Sequence, residues 1–257
     1  MLLFHPDPEK FITGAFIKIG FFRTNTDLLF QDTVHGNLFE QVERTMELLL
    51  TKYTKAFISY KGLSRIETYE YPENALREAL LNAVSHKDYA GCTPIQISVY
   101  PDKVMIWNIG QLPENWTIDM LQQKHTSIPY NPDIANVFFR SGYVEAWGRG
   151  IEKINELCTE TGLPLPLITY NHSGCWVEFR KDIYNAISLR EKGLNEHQIK
   201  AVLYVKEKGK IRSSEYQELN NVKKTIATDE LQRLTEMQLF NKIGTTGRSI
   251  YYELINK

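Results

Sequence analysis

A chain of 257 residues is long enough for two ordinary domains, and 42% apolar with 24% charged residues is a globular composition. No run approaches the roughly 20 apolar residues of a membrane-spanning helix, and the apolar start Met1-Leu2-Leu3-Phe4 meets His5 and Pro6 too soon for a signal peptide. The net charge of −1 hides a division: from Ile183 onward 13 Lys and Arg stand against 9 Asp and Glu, net +4, while the remainder holds 17 and 22, net −5. That asymmetry is compatible with a polyanionic partner for the C-terminal part alone.

Cys92, Cys158 and Cys175 are far apart and form no Cys-x-x-Cys pair, so neither a disulfide framework nor a zinc ribbon is indicated. A reducing cytoplasm fits. The six histidines include no His-Glu-x-x-His pair of the metalloprotease kind.

In chain order, Ala15 to Phe22 and Leu28 to Gln31 are rich in strand formers, and Leu38, Val42, Met46 and Leu49 recur at helical spacing up to about Tyr53. A further strand pair precedes residue 70. The abrupt apolar start suggests a chain that begins inside a longer architecture. From Pro72 to about His86, Ala75, Leu76, Ala79, Leu80, Ala83 and Val84 occupy one broad helical face. Ile95, Ile97 and Val99 alternate with polar residues, Pro101-Asp102 turns the chain, and Val104 to Trp107 return, which predicts a hairpin. Residues 111 to 147 are weakly patterned apart from a short helix opened by Asn131-Pro132, and a long segment of this kind is often functional. Gly148-Arg149-Gly150 opens another helix, followed by strands over 167–170 and 175–179 and a linker helix over 181–193.

Glu78, Asn82 and His86 lie at i, i+4 and i+8, within about 80° of one another on the Pro72 helix and beside its apolar face. A half-desolvated carboxylate there suits a general base for water, and an amide oxygen one turn on suits a Mg²⁺ ion that otherwise holds waters and phosphates. The plainer reading is a solvated face on which His86 caps the helix. Asn108-Ile109-Gly110 ends a strand, where Gly permits close approach of a flat ligand and Asn108 can meet a base edge. Gly148-Arg149-Gly150 precedes a helix, so free amides and Arg149 can hold phosphate oxygens. Each of these last two features is also an ordinary loop.

The order of these pieces resembles the GHKL ATPase superfamily, and within it the divergent branch of RecG-like proteins and transcriptional regulators. The resembling residues are Tyr71-Pro72, Arg77-Glu78-Ala79-Leu80-Leu81-Asn82-Ala83, His86-Lys87-Asp88-Tyr89, Asn108-Ile109-Gly110, Asn131-Pro132 and Glu145-Ala146-Trp147-Gly148-Arg149-Gly150-Ile151. The resemblance implies that Glu78 activates water, Asn82 binds Mg²⁺, Gly110 packs against adenine, residues 111 to 147 form a lid, and Gly148 and Gly150 contact phosphates. It departs at Asn108, where most of the superfamily has an acidic residue, and at Leu112, where a second glycine is usual; a neutral acceptor binds an amino group more weakly. In longer proteins of the branch this region follows a Schlafen-type AlbA-like domain. No Gly-x-x-x-x-Gly-Lys-Ser/Thr loop is present, which argues against a helicase motor.

The C-terminal part reads as a winged helix-turn-helix. Asn195 with Gln198 caps a helix, a short helix starts at Ser214, Asn220-Asn221 turns the chain, and a third helix runs from about Lys223 to Met237. Strands over 239–243 and 249–254 enclose a wing tip with Arg248. Lys223, Lys224, Thr225, Thr228 and Arg248 are the candidate contacts to double-stranded DNA; a protein-contact role is the alternative.

The expected architecture is thus α+β: a connecting segment over 1–70, a GHKL-like α/β sandwich over 71–182, and a linker helix with a winged helix over 183–257. The leading expectation is a cytoplasmic DNA-binding transcriptional regulator switched by ATP and Mg²⁺. An active ATPase and a nucleotide-free scaffold are the other two readings, and a homodimer would present paired modules to two half-sites.

Overall fold

Ile17 and Ile19 are fully buried while Lys18 between them faces out, the period-two pattern that makes β1 (Ile17–Thr24). β2 (Asp27–Val34) returns antiparallel to it, with register shifts beside Phe22. The first long helix, α1 (Leu38–Leu48), opens on a capping box: the Asn37 side chain accepts from Phe39 N and Glu40 N, both at 3.1 Å, and Glu40 accepts from Asn37 N at 3.0 Å. It runs on as a π turn (Leu49–Tyr53), which ends where the Thr54 hydroxyl donates to Leu49 O at 2.7 Å. β3 (Ala56–Lys61) and β4 (Ser64–Tyr69) then pair with each other as a separate two-stranded sheet.

The structure is a computed structural model describing residues 1–121, 123, 125–145, 148–182, 184–245 and 249–255. It divides into two compact units, Met1–Lys181 and Asp182–Lys257.

In the first unit, α2 (Glu73–His86) begins after Pro72, whose fixed φ suits a helix entry, and buries Ala75, Leu76, Ala79, Leu80, Ala83 and Val84. A fully buried Leu contributes about 1.5–3 kcal/mol, so this face anchors the helix firmly. The predicted hairpin is β5 (Ile95–Val99) and β6 (Lys103–Asn108). Two short helices follow, α3 (Ile118–Leu121) and α4 (Pro132–Arg140), then α5 (Gly150–Glu160), β7 (Leu167–Asn171) and β8 (Gly174–Arg180). The six-stranded sheet has the order β2-β1-β5-β6-β8-β7; β1 and β5 are parallel and the other pairs antiparallel. One core joins Ile17, Ile97, Ile106 and Phe179 of the sheet to Val42, Leu76, Leu80 and Ile154 of the helices. This mixed architecture fits an α/β sandwich. Residues 1–70, set apart as a connecting segment on sequence, lie in the same unit as 71–181: β1 pairs in register with β5 and carries β2 at the sheet's end.

The second unit comprises α6 (Ala186–Glu191), α7 (Glu196–Lys208), β9 (Lys210–Ile211), α8 (Ser213–Asn220), α9 (Lys224–Glu236), β10 (Phe240–Ile243) and β11 (Tyr251–Leu254). The Asn195–Gln198 capping box forms as predicted, and Asn221 turns the chain between α8 and α9 at φ 51. Glu230 ties three elements together, accepting from Tyr216 Oη at 2.9 Å and Asn195 Nδ2 at 2.5 Å. The strand β9 was not anticipated: two residues carry no periodicity, and only pairing with β11 defines it in the order β10-β11-β9. The linker helix is shorter than expected, spanning Ala186–Glu191. Among the described residues, no helix is long and apolar enough to cross a membrane.

Candidate functional site

The apolar face of α2 is held on the core, and its polar border faces a cavity of about 170 Å³ between α2, α5, the ends of β6, β7 and β8, and the segment after β6. At 10–15 Å³ per water on such a measure, that is room for on the order of ten waters. Glu78, Asn82, Asn108, Gly110, Gly148 and Gly150 all line it. Residues separated by as much as 72 positions therefore meet at one place, as the motif order anticipated.

Glu78 is 8% exposed. Burial pushes its carboxyl above the usual range; the Lys153 charge, then Arg77 and a hydrogen bond with Asn82, oppose that shift, while Glu145 reinforces it. Gly150 opens α5 directly against this pair, since a Cβ there would stand 2.5 Å from Glu78 Oε1 and 3.0 Å from Asn82 Nδ2. The free amides of a helix N-terminus and a carboxylate-amide pair thus share one end of the cavity. Such an end is suited to hydrated Mg²⁺ and to anionic oxygen.

At the other end, Asn108 is 6% exposed and its Nδ2 donates to Ile109 O at 3.2 Å, which leaves the amide oxygen as its acceptor. A Cβ on Gly110 would lie 2.4 Å from His86 O. Glycine is required there by the crossing of two backbones, whatever the cavity holds. Gly148, at φ +68, is covered by the segment after α3: a Cβ would meet His125 O at 2.4 Å and Ser127 N at 3.0 Å.

Arg149 is the predicted site residue absent from this lining among the described residues. Its Nε donates to Glu152 Oε2 at 3.1 Å, which draws the guanidinium along its own helix surface. The cation acting most strongly on Glu78 is instead Lys153, ahead of Arg77, and its Nζ is held by Glu145 at 3.1 Å. Lys153 follows Gly150 by three residues and so recurs on the same side of α5, a spacing that could have revealed it.

The predicted lid spans residues 111 to 147, of which 122, 124, 146 and 147 lie outside the described residues. Leu112, Trp116, His125 and Ile128 line the cavity, with the Trp116 and His125 rings edge to face at 5.0 Å. Asn131 fastens the segment in its middle: its Nδ2 donates to Ser85 O at 3.0 Å and Lys87 O at 2.7 Å, satisfying carbonyls that end α2. Tyr143 fastens it again, its carbonyl accepting from Arg77 Nη1 at 3.0 Å and its hydroxyl donating to Glu43 Oε1 at 2.5 Å. The back wall was missed on sequence. Ile168 and Tyr170 of β7 and Cys175 and Val177 of β8 face the cavity beside Ile106 and Asn108; burial pushes the Cys175 thiol up to about 11, so it remains protonated.

His86 also lines the cavity, with its pKa lowered first by burial and then by His125. Lys87 is not on the lining; it is 1% exposed, with Nζ 4.2 Å from the centre of the Tyr89 ring. In the second unit, Lys223, Lys224, Thr225 and Thr228 are exposed at the start of α9, and the Thr228 hydroxyl donates to Lys224 O at 2.8 Å. Arg248, with Thr246 and Gly247 of the predicted wing tip, lies outside the described residues.

A family model described as "Putative ATP-dependent DNA helicase recG C-terminal" matches residues 92–179. The match includes Asn108, Gly110 and Gly148 to Gly150, and begins after the helix that carries Glu78 and Asn82. No curated protein matches the chain. Among solved structures, the DIP2311 protein from Corynebacterium diphtheriae superimposes with a TM-score of 0.57 at 17% identity, over 93% of this chain and 51% of that one. The chain spans about half the length of that relative, and the likeness concerns the fold. Residues 92–179 are thus similar to a divergent HATPase-type domain, set within a larger α/β unit that reaches back to the first strand.

Proposed function

We propose that the first unit binds ATP with Mg²⁺ and that the second, read as a winged helix, binds double-stranded DNA, so that the chain is a nucleotide-responsive transcriptional regulator. The observation that carries the nucleotide half is the meeting of Glu78, Asn82 and Gly150 at one end of a cavity whose other end is Asn108. The residues fit the ligand: Asn82 and Glu78 would hold hydrated Mg²⁺, the start of α5 with Lys153 would hold phosphate, and the apolar walls with Asn108 would take the base. The DNA half rests on the order of α7, α8, α9 and the β10–β11 pair, with an exposed cationic start to α9.

A second reading, turnover of the bound nucleotide, is favoured by the buried position of Glu78, which raises its proton affinity toward that of a general base. In that reading Glu78 takes a proton from the attacking water.

Melting with and without Mg-ATP, on wild type and Asn82→Ala, tests the nucleotide site. Ligand at about 100 times its dissociation constant stabilises by about 2.7 kcal/mol, and the variant loses that shift. A wild type indifferent to millimolar Mg-ATP refutes both readings and leaves an interaction scaffold. Phosphate release compared with Glu78→Ala then separates switch from enzyme.

A further inference from the structure

Helix α9 buries Ala227, Leu231 and Leu234, which fixes one side of it on the core of the second unit. At 3.6 residues per turn the opposite side carries Thr225, Asp229, Gln232 and Glu236, and all four are exposed. Asp229 lies within about 20° of the line diametrically opposite the buried three.

The neighbours of Asp229 are already engaged. Gln232 Nε2 donates to Glu236 Oε1 at 2.9 Å, which draws that pair along the helix toward its C-terminal end. Thr228 stands on the flank, and its hydroxyl proton goes to Lys224 O. Glu230, the adjacent carboxylate, is the one the fold uses, bound by Tyr216 and Asn195 and paired with His197. The Asp229 side chain, by contrast, has no hydrogen bond or ion pair among the described residues. Arg233 follows it by four, a spacing at which opposite charges commonly pair.

A free carboxylate is out of place on a surface that meets a polyanion. Lys223 and Lys224 attract phosphates, and Asp229 further along the same helix repels them. An aspartate there lowers affinity for DNA in general, and only a base edge that offers an N–H donor offsets the loss. In the major groove those donors are cytosine N4 and adenine N6, whereas guanine and thymine turn acceptors toward the protein. Cytosine is the better match: a C–H stands beside its N4, while adenine has the acceptor N7 beside N6, which repels the second carboxylate oxygen.

We propose that Asp229 is the residue by which the second unit selects its DNA, accepting a hydrogen bond from the N4 amino group of a cytosine in the major groove. This rests on the reading of that unit as a DNA-binding winged helix. The lysines supply affinity for any duplex, and the carboxylate supplies discrimination by weakening all duplexes that lack the donor.

Selection from a randomised duplex pool by the full chain tests this. Wild type enriches a motif with one invariant cytosine, and replacing that cytosine by thymine weakens binding about 5–150-fold in fluorescence anisotropy. Asp229→Ala, a change at an exposed position, melts as wild type does. It enriches the same motif with that position unselected, is indifferent to the same replacement, and binds an unrelated duplex more tightly than wild type at low salt. A cytosine requirement that persists in Asp229→Ala, or wild-type binding with no cytosine requirement, overturns the proposal and leaves DNA binding standing. Loss of all binding in Asp229→Ala also overturns it, because a discriminating carboxylate is not a source of general affinity. If wild type enriches nothing and binds no duplex at low salt, the DNA reading itself fails and the proposal with it.

Discussion

Gly150 sits so close to Glu78 that a Cβ would stand 2.5 Å from Oε1. The atoms that Gly150→Ala would displace are the far ends of two side chains, and at the first residue of α5 the added methyl does not disfavour the helix. The expected outcome is a protein that melts close to wild type but shows no Mg-ATP shift. Gly148→Ala and Gly110→Ala instead drive a Cβ to 2.4 Å from the carbonyl oxygens of His125 and His86, and both variants melt well below wild type. A Gly150→Ala protein that still responds to Mg-ATP would remove Gly150 from the site.

Burial raises the Glu78 pKa, so the folded chain holds a proton that the unfolded chain releases at the same pH. The penalty is absent below the ordinary carboxylate value of 4.5 and is imposed as pH rises through the folded value. Glu78→Gln should therefore melt above wild type at neutral pH, by roughly 2–4 °C for each kcal/mol relieved. The gap should close as pH falls toward 4.5. A gap of constant size across that window would count against the buried charge as its cause.

Lys87 shows the converse. Burial lowers its amine to about 8, against 10.5 when free, with Asp88 and then Cys92 opposing the shift. Below about 8 both states are charged and the folded state bears the whole desolvation penalty; between 8 and 10.5 the unfolded chain holds the extra proton, so stability rises with pH. Lys87→Met should stabilise most at neutral pH, with an advantage that fades toward 10.5. Paired melts across that range check the sign.

Asn131 joins the lid segment to the end of α2 by hydrogen bonds to Ser85 O and Lys87 O. Loss of both in Asn131→Ala should cost about 1–3 kcal/mol. Asn131→Asp should cost more, because its oxygens would face the two carbonyls with no proton to offer. Equal melting temperatures for these two variants would show that the amide donor is not what holds the segment.

For the second unit, the logarithm of DNA affinity should fall linearly with the logarithm of salt, and Lys223→Ala and Arg248→Ala should each reduce the slope by about 1. A slope unchanged by either substitution would take that residue off the phosphates. Complete absence of binding would leave a protein-contact role for the unit.

Much of this was legible in the sequence because it is local. Helix α2 is written in the spacing of Ala75, Leu76, Ala79, Leu80 and Ala83, and α7 in the Asn195–Gln198 capping box, which forms within four residues of chain. The grouping of Glu78 and Asn82 follows from helical periodicity alone. Other features needed the fold. β9 exists only because β11 pairs with it, and Tyr170 and Cys175 reach the cavity only because β7 and β8 close the sheet beside β6. Arg149 was the cation the sequence marked for phosphate, but it is drawn to Glu152, and Lys153 is the cation whose charge acts most on Glu78. Near neighbours along a helix or turn are set by the chain itself, whereas the far wall of a cavity is set by strand order. The glycines make the same division: that Gly110, Gly148 and Gly150 are glycines is sequence, but that they yield to His86 O, His125 O and Glu78 is decided by tertiary packing.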